Sequence, residues 1–250
     1  MDKKYILNTK NYYRELYIDD KKRPVVVIAP GGAYKYTSER ESLPVARFYN
    51  ANGFHAVVVN YRETIEDKYP LPQKYLAEVL KIVKADKRCS KIIGLGFSAG
   101  GHCILDVSLH DYGIKPDLLM LAYPVITSDE AYSHKLSFET LLGDKYNDIN
   151  IRKYVSLEHE VLADAPDLFL WGTYTDASVN VMNSLLLINE YYKNNLNCEY
   201  HMYSKGKHGL ALGNALTSAG DPSNIEPLIE SWPTLAINWL NSKLGGSDEK

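Results

Sequence analysis

The stretch IIGLGFSAGGHCIL, residues 92–105, joins an apolar run to a segment suited to a helix, with one serine between glycines at the junction. Its centre, Gly96–Gly100 (GFSAG), fits the pattern G-x-S-x-G. When a strand precedes this pattern and a helix follows it, the serine is typically a nucleophile held in a sharp turn. The alternative is a packing turn, in which small residues let a helix lie close to a sheet. The flanking sequence favours the nucleophile, Ser98.

Six strands are predicted, the first two as continuous β-branched runs typical of strands buried on both faces. They are Val25–Ala29, Phe54–Asn60, Lys91–Phe97, Leu118–Tyr123, Leu168–Trp171 and Cys198–Tyr203. Short Tyr- and Ile-containing runs within residues 5–18 suggest further antiparallel strands at one edge.

Helical spacing of apolar residues separates these strands. Helices are predicted at Ser38–Asn52, around Leu76–Val83, over Val179–Asn195 and at Trp232–Leu244; in the third, Val181, Leu185, Ile188 and Tyr192 repeat at helical spacing. Alternating strands and helices predict an α/β fold, in which a mostly parallel sheet has helices on both faces. In such sheets, sites form at the carboxyl ends of the strands.

Residues 127–166, between the fourth and fifth predicted strands, are too many for a plain crossover. Short helices are predicted within them at Phe138–Leu142 and Ile151–Leu162. A long insertion above strand ends is often a lid or a substrate wall, but a solvated surface decoration is an equal alternative. The length of 250 residues suits a single domain, 1–250, and a disordered tail is expected at 245–250.

Composition argues against several classes of partner. The formal net charge of −3 and the scattered lysines do not predict a nucleic-acid surface. No apolar run is long enough to span a membrane, and Met1–Tyr5 lacks the apolar core of a signal peptide. The three cysteines lie far apart, without metal-ligand spacing. We expect reduced thiols, a cytoplasmic protein, no nucleic-acid or membrane partner, and no metal or other cofactor.

A nucleophilic serine needs a general base and an acid that orients it, and in this arrangement they follow in the order serine, acid, histidine. Asp176 follows the strand Leu168–Trp171 and is the best candidate acid, although it could also cap the next helix. His208 stands between glycines in the loop after Cys198–Tyr203 and is the best candidate base. The remaining histidines lie in strands, helices or stretches without comparable context and are interpreted as surface or packing residues.

The loop Pro30–Tyr34 (PGGAY) follows the first buried strand, where this fold places backbone donors to a developing oxyanion. Glycines there let the backbone approach a substrate oxygen. The second donor is expected to be the N–H of Ala99, the residue after the nucleophile. A simple turn would explain the glycines alone, but not four elements in the right order at the right strand ends.

The pieces APGGAYKYTSERE, NYR, GFSAGGH, KPDLLMLAYPVI, LFLWGTYTDASV and KGKHGL, which lie between Val25 and Leu240, resemble the α/β-hydrolase superfamily. Within it the chain is similar to the bacterial acetyl-esterase and xylan-esterase-like branch related to hormone-sensitive lipases. The resemblance implies the α/β-hydrolase fold, a triad of Ser98, Asp176 and His208, and Gly32, Ala33 and Ala99 around the oxyanion. The chain departs from the related lipases in that Pro30 stands where they carry a histidine, Ala33 replaces a third glycine and no long N-terminal cap is expected. DASVN also lacks a proline often found after the valine.

The expected function is therefore a serine carboxylesterase acting through an acyl-enzyme. The resemblance implies short acyl esters as substrates, often acetyl groups on sugars or xylo-oligosaccharides. Two alternatives are a non-catalytic ligand- or sugar-binding protein on a decayed hydrolase scaffold and a small peptidase of the same fold.

Overall fold

A computed structural model describes residues 2–7, 11–62 and 66–245, which form an eight-stranded sheet with helices on both faces. The strands are β1 (Asp2–Ile6), β2 (Tyr12–Leu16), β3 (Arg23–Ala29), β4 (His55–Asn60), β5 (Cys89–Phe97), β6 (Leu118–Ala122), β7 (Asp167–Thr173) and β8 (Cys198–Tyr203). The helices are α1 (Leu43–Ala51), α2 (Leu71–Ala85), α3 (Ala99–Leu109), α4 (Lys135–Leu142), α5 (Ile149–Tyr154), α6 (Met182–Lys193) and α7 (Trp232–Leu244). Residues 246–250 of the predicted disordered tail lie outside the described part of the chain.

The strand order is β1-β2-β4-β3-β5-β6-β7-β8. From β4 to β8 all neighbours are parallel, whereas β2 pairs antiparallel with both β1 and β4. The predicted mostly parallel sheet and its antiparallel edge are thus confirmed. The parallel strands end at one edge of the sheet, so the loops after β3, β5, β7 and β8 meet there.

Residues of β3 explain why its sequence is a continuous apolar run. Val25 and Val27 belong to the core cluster under α2 and α3, whereas Val26 and Ile28 belong to the cluster under α1 and α7. All four are fully buried. A strand covered on both faces has no solvent side, and therefore shows no polar alternation.

The predicted helix Ser38–Asn52 is two elements: a 3₁₀ turn at Glu39–Glu41 and then α1. Ser42, between them, has a non-helical backbone with φ −103° and ψ −107°. The physical reason is Pro44, whose ring and missing N–H are compatible only with the first turn of a helix. The first turn of α1 therefore begins just before Pro44, and residues 39–41 form a separate turn.

Helix α6 exists but buries a different face from the one that the apolar spacing predicts. Leu187 and Tyr191 are buried, whereas Tyr192 is 80% exposed. Asn183 is also buried, because its Oδ1 accepts the N–H groups of Ile126 and Thr127 at 2.9 and 3.1 Å. A buried polar group is stable when it is hydrogen-bonded, and such a residue is invisible to a hydrophobic pattern.

In the insertion, the predicted helix Phe138–Leu142 is confirmed within α4, whereas Ile151–Leu162 is replaced by α5 and a 3₁₀ turn at Leu157–His159. His102, on α3, connects the insertion to the loop after β3. Its Nε2–H donates to the Val155 carbonyl, and its Nδ1 accepts from the Tyr34 hydroxyl, both at 2.8 Å. Complete burial lowers the pKa of His102 and favours this neutral form.

Among the residues described, none of the helices combines the length and apolarity needed to cross a membrane. The cytoplasmic location stays a prediction.

We expect Gly100→Ala to lower the free energy of unfolding by about 1–3 kcal/mol or more, because added atoms in a close-packed contact force the backbone apart. A Cβ at Gly100 would lie 2.0 Å from the Ala29 carbonyl oxygen, where α3 crosses β3. Urea denaturation measures the change.

Gly245→Ala is the control, because a Cβ there meets nothing within 4 Å. Its effect should stay within about 0.5 kcal/mol. Equal stabilities for the two variants would contradict the close approach of α3 to β3.

Candidate active site

Ser98 is the single residue between β5 and α3, and its backbone has φ 50° and ψ −121°. Positive φ is unfavourable for a residue with a Cβ and costs on the order of 1–3 kcal/mol. Two backbone hydrogen bonds hold it: Ser98 N–H donates to Ala122 O at 3.0 Å, and Val125 N–H donates to Ser98 O at 3.1 Å. The predicted sharp turn is therefore present, fixed by strand β6 and the residues that follow it.

The structure brings Ser98, His208 and Asp176 into one hydrogen-bonded chain. The Ser98 hydroxyl lies 2.8 Å from His208 Nε2, and His208 Nδ1 lies 2.7 Å from Asp176 Oδ2. A carboxylate only accepts, so Nδ1–H donates to Asp176 and Nε2 is left to accept from the serine. The Asp176 side chain is 2% exposed and that of His208 21%. This arrangement can activate a hydroxyl for attack on a carbonyl.

Asp176 is fixed by its own loop. Its Oδ1 accepts the N–H groups of Ser178 and Val179 at 2.8 and 2.9 Å, which leaves Oδ2 for His208. The alternative role as a helix cap is not observed, because α6 begins at Met182, later than the predicted Val179.

The loop that carries His208 is tied to the loop that carries Asp176. The Thr173 hydroxyl donates to Gly206 O at 2.8 Å, and Gly206 N–H donates to the Thr175 hydroxyl at 3.0 Å. Acid and histidine, which are 32 positions apart in the chain, therefore belong to one hydrogen-bonded unit.

The loop after β3 faces the serine. Gly32 and Ala33 line the same cleft as Ser98 and His208. Gly32 has φ +131°, and a Cβ there would lie 2.2 Å from the Tyr36 carbonyl oxygen, so only glycine fits. Ala99 is the first residue of α3, where a backbone N–H has no partner within the helix. The Ala99 N–H beside Ser98 and the N–H groups of the Gly32–Ala33 segment are thus the candidate donors.

A buried carboxylate, Glu41, supports that loop from behind. It is 4% exposed, and its Oε2 accepts the Gly31 N–H at 2.7 Å. Its Oε1 accepts the Tyr123 hydroxyl proton at 2.6 Å, and the Tyr123 oxygen accepts the Ala211 N–H at 3.0 Å. Burial and the neighbouring carboxylate raise the pKa of Tyr123, which keeps it a donor. Since Ala211 lies three residues after His208, Glu41 connects the glycine loop to the histidine loop.

Sequence reasoning missed Glu41, Tyr123 and His134 as parts of the site. His134 was interpreted as a surface or packing residue, yet it lines the cleft, and its ring is nearly parallel to that of His208, with centroids 6.5 Å apart. Its place in the insertion at 127–166 was the available signal. The other two lie in a helix-like and a strand-like stretch, where nothing in the pattern marks them.

The cleft itself has a volume of about 330 Å³. The glycine loop and Tyr36 line it together with the Ser98–His208 pair, and His134 and Leu136 of the insertion close another side. Within the part of the chain that the structure describes, no group of three or more His, Cys, Asp or Glu side chains is arranged to hold a metal ion.

Two curated proteins are similar to this chain, whereas no family model matches it. The chain is 31% identical over 225 residues to a protein of Butyrivibrio fibrisolvens named endo-1,4-beta-xylanase B, covering 82% of this chain and 35% of that protein. It is 30% identical over 198 residues to an acetylxylan esterase of Xylanibacter ruminicola, covering 75% of this chain and 41% of that protein. The chain therefore spans less than half the length of these relatives.

Solved structures match the chain over nearly its whole length. One is an acetyl ester-xyloside bifunctional hydrolase from Caldicellulosiruptor lactoaceticus, 30% identical, with a TM-score of 0.80 and coverage of 93% of this chain and 88% of that one. Another is MGS-M1, an alpha/beta hydrolase from a deep-sea metagenome library of the Medee basin, 26% identical, with a TM-score of 0.80 and coverage of 97% of both chains.

We expect Glu41→Gln to lower the free energy of unfolding by about 1–3 kcal/mol, because an amide can accept only one of the two donors and leaves the other buried without a partner. Tyr123→Phe removes the hydroxyl that donates to Glu41. The two effects should couple by about 0.5–3 kcal/mol in a double-mutant cycle measured by urea denaturation.

Glu139→Gln is the matched control, since that side chain is 44% exposed and pairs with Lys135 across 3.6 Å on the surface. Its effect should be within about 0.5 kcal/mol. Full additivity of Glu41→Gln and Tyr123→Phe would contradict the network.

We expect the imidazole of His134 to titrate below the ordinary value of 6.5, because burial and the positive charge that His208 acquires both lower its pKa, against a smaller opposing effect of Asp176. A depressed histidine pKa means that the unfolded chain binds this proton more readily, so this group destabilises the fold as pH falls below 6.5. Histidine side-chain NMR against pH, with His134→Asn to assign the resonance, gives the value. Titration at or above 6.5 would contradict the half-buried, neutral placement.

Proposed function

The chain belongs to the α/β-hydrolase superfamily, and we propose that within it this protein is a serine carboxylesterase that hydrolyses short acyl esters, acetyl esters in particular. The observation that carries the proposal is the continuous hydrogen-bonded chain from Ser98 through His208 to Asp176. It lies opposite a loop of backbone donors at Gly32 and Ala33, in a single cleft.

The proposed reaction is a two-step acyl transfer. Ser98 Oγ attacks the ester carbonyl while His208 Nε2 takes its proton, and Asp176 stabilises the imidazolium that forms. Gly32, Ala33 and Ala99 are the proposed N–H donors to the oxyanion, each worth on the order of 10²–10³ in rate. His208 then protonates the leaving alcohol, and water hydrolyses the acyl-enzyme by the same route. The residues carry each step of this mechanism without a cofactor.

The size of the cleft and the relatives support a small acyl group on a sugar. About 330 Å³ must hold both the acyl group and the reacting part of the alcohol. An acetylxylan esterase and an acetyl ester-xyloside hydrolase are among the similar proteins. We therefore propose acetylated xylo-oligosaccharides as substrates. The insertion, through His134 and Leu136, is the proposed wall of the alcohol side.

We expect Ser98→Ala to lower kcat/KM for p-nitrophenyl acetate by about four to six orders of magnitude, because no other group can form the acyl-enzyme. Acetate should be preferred to butyrate and octanoate, and acetate should be released from acetylated xylo-oligosaccharides. Ser178→Ala is the matched control and should leave kcat/KM nearly unchanged. Ser178 lines the same cleft, and its backbone N–H, which donates to Asp176, is retained in the variant.

Labelling with a fluorophosphonate separates the enzyme from a binding protein on a decayed scaffold, because only an activated serine reacts. If the fluorophosphonate does not label the wild-type protein, the catalytic proposal is overturned. Preference for octanoate would keep the mechanism and overturn the acetyl substrate, and cleavage of peptide amides in preference to esters would favour a peptidase.

A further inference from the structure

A second cavity, of about 440 Å³, lies beside the catalytic cleft and is larger than it. Its floor is the sheet surface at the antiparallel edge, where Tyr12 and Arg14 of β2 stand opposite Asn60 and Val58 of β4. Pockets that hold small organic ligands have volumes of roughly 300–1,000 Å³. The cavity is thus large enough for one sugar ring and its hydroxyls.

Tyr36 joins this cavity to the reaction centre, since it lines both. Its side chain is 61% exposed, although it belongs to a tight turn in which Lys35 N–H donates to Gly32 O at 2.9 Å and Ser38 N–H donates to Gly31 O at 2.9 Å. The turn fixes the backbone that carries Tyr36, and an aromatic side chain has only two rotatable bonds, so it can pack against a ligand at a low cost in conformational entropy. A ligand that crosses Tyr36 would contact both spaces.

The second aromatic ring that lines the cavity is Tyr12. Lys4 Nζ lies 3.6 Å from the centroid of the Tyr12 ring, a cation–π contact across β1 and β2. Tyrosine offers an apolar ring with a polar hydroxyl, which suits the apolar faces and hydroxyl rim of a pyranose.

The charges around the cavity balance. Arg14 pairs with Asp2, with its Nε donating to Oδ1 at 3.1 Å, while Lys4 and Glu39 supply one further charge of each sign. These two positive and two negative side chains carry no net charge that would select an anion or a cation. The cavity therefore favours a neutral polar ligand.

We propose that this cavity binds a neutral pyranose unit of an oligosaccharide ester, next to the unit whose acyl group reaches Ser98. The inference rests on the proposed function and extends it: the enzyme binds the sugar unit next to the acetylated one through contacts with Tyr12 and Tyr36. It predicts that oligosaccharide esters are better substrates than esters of a single sugar.

The binding experiment uses the full chain with Ser98→Ala and titrates xylotriose by calorimetry. Adding Tyr12→Ala should raise the Kd for xylotriose about two- to tenfold, the worth of one aromatic contact. Tyr192→Ala is the control: that side chain is 80% exposed on α6, and its removal should change Kd by less than about twofold. Unchanged binding in the Tyr12 variant, or displacement of xylotriose by inorganic phosphate, would overturn the proposal.

The kinetic experiment separates this inference from the proposed function. In Tyr12→Ala the KM for acetylated xylotriose should rise about two- to tenfold, while kcat/KM for p-nitrophenyl acetate stays unchanged and reports an intact fold and triad. Arg14→Gln is the second variant, should Tyr12→Ala fail to fold, and the same selective rise is expected.

Two outcomes distinguish failure of the proposed sugar site from failure of the proposed esterase function. Esterase activity with the same KM for acetylated xylose and acetylated xylotriose overturns the sugar site and leaves the esterase proposal intact. Xylotriose binding that depends on Tyr12, in a wild type that hydrolyses no ester, keeps the sugar site and overturns the proposed function.

Discussion

The left-handed backbone of Ser98 is the constraint on which the site depends. A serine accepts φ 50° only if its surroundings fix the chain on both sides. β6 accepts its N–H through Ala122, and Val125 donates to its carbonyl. The helix that follows must then leave the sheet at once, and it passes so close to β3 that a Cβ at Gly100 would lie 2.0 Å from a carbonyl oxygen. The parallel sheet, its small residues and the position of the Ser98 hydroxyl at the cleft are thus linked.

Glu41 extends this constraint from the serine to its partners. A buried N–H and a buried phenol hydroxyl both need an acceptor, and the two oxygens of a carboxylate provide one for each. The Gly31 N–H and the Tyr123 hydroxyl are the two groups that donate to Glu41. Tyr123 in turn accepts the Ala211 N–H, so movement of the loop that carries His208 would break this hydrogen bond. Because Tyr123 also donates to Glu41, which accepts the Gly31 N–H, that movement would also disturb the loop after β3. The distance between the proposed oxyanion donors and His208 is therefore set by buried hydrogen bonds rather than by the loops alone.

The mostly parallel sheet and the three residues Ser98, Asp176 and His208 could be inferred from the sequence, because each residue lies at or shortly after the end of a predicted strand and parallel strands end at one edge. Their contacts agree with that inference, while their roles stay proposals. Glu41 and Tyr123 could not be inferred: they are 82 positions apart, and their pairing depends on tertiary contact alone. The wrong face of α6 has a related cause. Asn183 is buried because it accepts two backbone N–H groups of the insertion, and apolar periodicity cannot register a satisfied polar residue.

Backbone strain and hydrogen bonding are concentrated in the same place. Ala33, Ser98, Tyr123 and Ala211 all have positive φ, at 52°, 50°, 39° and 53°. Each such residue costs on the order of 1–3 kcal/mol, whereas a single buried hydrogen bond contributes only about 0.5–1.5 kcal/mol net, and about 1.5–3 when one partner is charged. The four residues together cost more than any single hydrogen bond contributes, so several bonds must act together. The network through Glu41 and Tyr123 supplies them at the loops, and the ladder of β5 and β6 supplies them at the serine. Residues remote from the reacting atoms therefore determine whether Ser98 and His208 stay within hydrogen-bonding distance.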